Sequence, residues 1–78
     1  MGQYVGGSGE GGTLMYIEVF DKKTKEYIGL KNLHKSATEE EQWTAAIGIA
    51  KLYWPKVFKK VETVEAAREV LIMEVHGV

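Results

Sequence analysis

Cysteine is missing from this 78-residue sequence. That one absence removes disulfides, thiolate zinc sites and cysteine nucleophiles together. Proline occurs once and histidine twice. No apolar run approaches the ~18 uninterrupted residues of a membrane-spanning helix, so no membrane span is expected. No charged segment followed by an apolar one opens the chain, so no secretory signal is expected either. A reducing, cytoplasmic setting fits this composition. Ten basic residues against eleven acidic ones leave a formal charge of −1. Such a balance argues against nucleic-acid binding by global charge and leaves room only for a local basic patch.

What is present is enough for one domain. A chain this short buries only about 60% of the surface its unfolded form exposes. Small domains usually supplement such a core with disulfides, a metal or association. With no cysteine, and only His34 and His76 as imidazoles, association with a second chain is the most available supplement.

Six of the nine glycines fall in residues 1–13, MGQYVGGSGEGGT, which hold little to bury. Glycine loses the most backbone freedom on ordering, so a flexible tail is expected here, with the compact domain at 14–78. Tyr4 and Val5 are its only residues suited to docking back. Gly7 to Gly12 matches G-x-G-x-x-G as a string, but the dinucleotide fingerprint requires a helix to follow it. The next segment, Leu14 to Phe20, reads as a strand instead.

Residues 14–20 and 26–31 both alternate, and Asp21-Lys22-Lys23-Thr24-Lys25 between them supplies a polar turn, so a β-hairpin is predicted. Met15, Ile17, Val19, Ile28 and Leu30 are assigned to its core face. Leu14, Tyr16, Glu18, Phe20, Tyr27 and Lys31 are assigned to the other. Both Ser36…Glu39 and Thr38…Glu41 fit the S/T-x-x-E capping box, and three glutamates sit where the helix dipole favours anions. The helix they open should end near Tyr53 or Trp54, because Pro55 disfavours α geometry before it. Around that helix Trp43, Ala45, Ala46, Ile47, Ile49, Ala50, Leu52, Tyr53 and Trp54 span an apolar arc of roughly 220°, about twice what a surface helix needs. A two-strand sheet covers one side of it only.

Downstream, Lys56 to Val61 alternates weakly and is assigned a short third strand. Thr63 reads as an N-cap for a second helix running to about His76. An apolar run cannot be typed by period alone, so a strand over 71–75 is the alternative. The expected fold is therefore a small α+β single domain, a β-hairpin with a third short strand packed on two helices, in the order β-β-α-(β)-α.

Chemistry is sparse. His34 and His76 are far apart and neither belongs to a close ligand pair, so no metal and no cofactor are expected. Ser8 lies in the glycine tail and Ser36 reads as a cap, leaving no nucleophile beside a base, so catalysis is not expected. Two binding functions remain. The first is a non-enzymatic interaction or regulatory module that binds another protein or a second copy of itself. Its contact residues are Trp43, Tyr53 and Trp54, supported by Tyr16, Phe20 and Tyr27, because tryptophan and tyrosine bury much area with few rotatable bonds. The second is a single-stranded nucleic-acid binder in which Lys56, Phe58, Lys59 and Lys60 join the outer aromatics as a stacking platform.

Overall fold

A computed structural model describes residues 14–77. The glycine-rich segment assigned as a tail, with Tyr4 and Val5, lies outside the described residues. The elements are β1 (Leu14–Asp21), β2 (Tyr27–His34), α1 (Glu39–Tyr53), α2 (Val64–Val70) and β3 (Leu71–Gly77). The three strands form one antiparallel sheet in the order β2-β1-β3. The fold is thus α+β, built on a hairpin and two helices as the sequence indicates. Its third strand comes from the end of the chain, giving β-β-α-α-β.

Alternation in β1 sorts its side chains as expected. Met15, Ile17 and Val19 are buried, and Tyr16, Glu18 and Phe20 are half-buried on the opposite face. Asp21 closes the strand and is itself buried. Its carboxylate accepts from the Thr24 amide at 2.9 Å and the Thr24 hydroxyl at 2.8 Å, satisfying the charge locally. Lys25 takes the left-handed conformation that completes the turn, at φ 69°.

β2 departs from simple alternation. Phe20 pairs with Tyr27 and Val19 with Gly29, so Ile28 is the extra residue of a bulge. Ile28 and Gly29 both turn inward. Beyond the bulge the phase is reversed: Leu30 stands opposite Glu18 on the outer face, and Lys31 opposite Ile17 on the inner side. Leu30, assigned to the core from the sequence, is 46% exposed. Strict period-2 counting misplaces it because one inserted residue flips every later side chain.

α1 opens with the full capping box. The Thr38 hydroxyl accepts from the Glu41 amide at 3.1 Å, and the Thr38 amide donates to the Glu41 carboxylate at 2.7 Å. Ser36, the other candidate cap, instead lies 2.7 Å from His34 Nδ1. The helix stops at Tyr53 with Trp54 as its C-cap, just before Pro55. Residues 55–60 then form turns and bends, not the strand assigned to 56–61. The reason is Phe58. It is only 2% exposed and stacks on Trp54 with ring centroids 5.9 Å apart, folding the loop back onto the core beside Val61.

Thr63 caps α2 as predicted, accepting from the Ala66 amide at 3.1 Å. This helix does not continue to His76. Leu71 is already extended at φ −124° and ψ 149°, and the chain pairs with β1 from Asp21↔Leu71 to Met15↔Gly77. Ile72 and Glu74, which fit no helical face, alternate correctly on a strand, and sheet pairing outweighs the helix propensity of this stretch.

Ile17, Val19, Ile28, Ala46, Ile49, Ala50, Phe58, Val61, Ala67 and Leu71 make up the core. Both helices and their connecting loop supply it from the same side of the sheet. The wide apolar arc of α1 is covered by β1 and β2 on one flank and by Phe58 and α2 on the other, leaving Leu52 and Tyr53 exposed. Among the described residues no helix is long and apolar enough to cross a membrane.

Two glycines test this packing. A Cβ at Gly29 would lie 2.9 Å from Ile49 Cγ2 and 3.0 Å from the Tyr53 ring, whereas one at Gly48 meets nothing within 4 Å. Gly29→Ala should cost about 1–3 kcal/mol by overpacking. Gly48→Ala should gain about 0.5–1 kcal/mol by restoring helix propensity. Urea midpoints at constant slope check both signs.

Candidate functional site

With every helix on the inner side, the outer face of the sheet has no second layer among the described residues. The antiparallel register assembles it from all three strands. Leu30, Glu18 and Glu74 form one row, Asn32, Tyr16 and His76 the next, and Tyr27, Phe20 and Ile72 another. Tyr27 is 49% exposed and Leu14 is half exposed. Phe20 meets Tyr27 edge-on, with centroids 5.6 Å apart. Tyr16 stacks on the His76 ring at 4.8 Å and 17°. Such cross-strand aromatic pairs stabilise a sheet surface and hold its side chains in place.

A charged cluster sits at the centre of this face. Glu18 and Glu74 are direct cross-strand partners, and like charges so placed repel each other. His76 Nε2 lies 2.9 Å from the Glu18 carboxylate and 3.5 Å from that of Glu74. That nitrogen is buried, although the His76 side chain as a whole is 35% exposed, and it makes no aligned hydrogen bond to either. In the sequence His76 stands far from His34 and has no close ligand neighbour. The meeting of Glu18 and Glu74 is missed there because it depends on β3 being a strand in this register.

The residues singled out for protein contact divide between two sides of the molecule. Tyr16, Phe20 and Tyr27 gather on the outer face. Trp43, Tyr53 and Trp54 belong to the helical layer. There Trp43 is half-buried, with the Arg68 guanidinium 5.7 Å from its ring centroid, and Trp54 is half-buried against Phe58. Tyr53 is 58% exposed, beside Leu52 at 69% and the exposed Val57. The two tryptophans thus serve the chain's own packing first.

The nucleic-acid set is divided as well. Lys56, Lys59 and Lys60 are exposed on the loop after α1, but Phe58 is buried between them. The loop packs in the helical layer, so these lysines do not border Tyr16, Phe20 and Tyr27, and the expected joint platform is not assembled. A depression of about 600 Å³ between the helix N-termini is lined by Glu39, Glu40, Glu62, Thr63 and Arg68 among others. Thr63 is engaged as a cap, and Arg68 approaches Glu39 at 3.4 Å.

No family model, curated protein or solved structure matches this chain.

The packing role of the tryptophans separates stability from recognition. Trp54→Ala should lower stability by about 2–3 kcal/mol, less than for a fully buried ring. Leu52→Ala, on the exposed side of the same turn, should stay within about 0.5 kcal/mol of the parent. Thermal and urea denaturation of the two variants will show this difference.

Proposed function

We propose that this chain is a non-enzymatic interaction module that binds another protein through the outer face of its sheet. The observation that supports the reading is the one-sided placement of the helices. A three-stranded sheet with one face bare among the described residues leaves Leu14, Tyr16, Phe20, Tyr27, Leu30 and Ile72 at that surface, an apolar and aromatic patch of the kind that marks interaction sites. Its centre supplies the chemistry of the occupant. Glu18 and Glu74 call for a cationic side chain, so the fitting partner is a protein surface that is apolar around a lysine or arginine. The same carboxylates oppose phosphate, which weighs against single-stranded nucleic acid on this face despite its aromatics. Face-to-face pairing of two copies would set these carboxylates against their equivalents, which favours a foreign partner over a homodimer. A cytoplasmic setting belongs to the proposal and agrees with the cysteine-free composition.

The test places a photo-crosslinking amino acid at Tyr27 and, as the control, at Leu52. A single protein should be trapped from position 27 and not from 52. Its purified form should bind the parent chain and lose at least tenfold in affinity with Glu18→Lys or Leu30→Asp, while the variants keep the parent melting temperature. A mass that rises with concentration in sedimentation and reverts with Leu30→Asp would replace the foreign partner by a second copy. Oligonucleotide binding that falls steeply with salt and with Lys59 and Lys60 removed would overturn the reading.

A further inference from the structure

We propose that Glu18, Glu74 and His76 form a binding site for one divalent transition-metal ion of the zinc type at the centre of the outer sheet face. Each offers one ligand atom, and these atoms lie within 4.8 Å of one another. Ligands bound at about 2.0–2.2 Å in tetrahedral or octahedral array stand about 3.0–3.6 Å apart. The separation of 3.5 Å from Nε2 to the Glu74 carboxylate falls in this range, and that of 2.9 Å to Glu18 lies just below it.

Three features make the cluster more than a meeting of charges. The two glutamates are held opposite each other by backbone pairing, so register does not relieve their repulsion and a positive charge between them would offset it. His76 Nε2 is buried and, among the described residues, makes no aligned hydrogen bond even though the Glu18 carboxylate lies 2.9 Å away; a metal ion between the two carboxylates would give it a partner. Finally, Tyr16 stacks flat on the imidazole and fixes the ring, the orienting role that outer residues play around metal-bound histidines. One imidazole and two carboxylates suit zinc better than magnesium, which favours an all-oxygen octahedron and retains its water. Three protein ligands leave at least one position open to solvent or to a donor from elsewhere. His34 takes no part: it sits at the β2 edge with Ser36.

The site does not rest on the proposed protein partner, although a bound metal would take the place of the partner's cationic side chain between the same two carboxylates. Metal uptake is measured on the isolated chain, so failure of either reading leaves the other standing. The full chain, stripped with a chelator, is titrated with Zn²⁺ and separately with Mg²⁺ by calorimetry, and the ¹⁵N signals of its histidines are followed by NMR. One Zn²⁺ per chain should bind, the Nε2 signal of His76 should move, and Mg²⁺ should bind at least tenfold more weakly. His76→Ala and Glu74→Gln should each weaken Zn²⁺ at least tenfold, Tyr16→Leu less, and His34→Ala not at all. Absence of stoichiometric uptake up to about millimolar Zn²⁺ would overturn the site. So would uptake indifferent to Glu74→Gln, a conservative change at an exposed position that leaves the strand intact should His76→Ala fail to fold. A His76 signal that reports only a proton shared with the glutamates, unmoved by Zn²⁺, would equally reduce the cluster to an ion pair.

Discussion

β1 must be hydrogen-bonded along both of its edges, and its second partner lies at the far end of the chain. The hairpin supplies β2 locally through the Asp21 turn. β3 arrives only after two helices and a loop have crossed the sheet. Because the whole crossing runs over one side, all of the helical mass is deposited there. The start of β3 is fastened to the hairpin turn by Lys22, whose amide donates to the Val70 carbonyl at 3.0 Å and whose ammonium donates to the Arg68 carbonyl at 2.9 Å. The one-sided core and the outer face left bare among the described residues both follow from this single strand having two neighbours. Such a long-range closure costs loop entropy before it is rewarded, which places much of the domain's cooperativity in its final residues.

Local signals in the sequence were legible where local physics decides. The capping box at Thr38 and Glu41, the helix stop before Pro55 and the Thr63 cap each depend on a few adjacent residues, and each is present. The wide apolar arc of α1 correctly posed the question of what covers its second side. Its answer, Phe58 with α2, was hidden because a lone aromatic between lysines fits an alternating strand as well as a folded-back loop. The stretch from Leu71 on was ambiguous for a similar reason. Seven mostly apolar residues carry no period strong enough to separate helix from strand until β1 provides an edge to pair with.

The candidate sites show the same division. Tyr16, Phe20 and Tyr27 were assigned to one face by alternation and do share it. Their joining with Glu74 and His76 could not be read, because strand register is a property of two segments rather than one. Had 71–77 been typed as a strand antiparallel to β1, the pairing of Glu18 with Glu74 would have been within reach. Trp43 and Trp54 marked a surface that needed covering, and the chain covers much of it with its own residues.

One inserted residue in β2 has a reach beyond its own turn of backbone. Without the bulge at Ile28, residues 30–34 would keep the phase of the first half of the strand. Leu30 would then enter the core and Lys31 would stand among the outer aromatics. The bulge reverses that exchange, giving the interior Gly29, close enough to α1 for backbone to replace a side chain, and giving the exterior a leucine in place of an ammonium group. Interior volume and exterior stickiness in this domain are therefore not independent quantities: they are set together, in opposite directions, by the length of one strand.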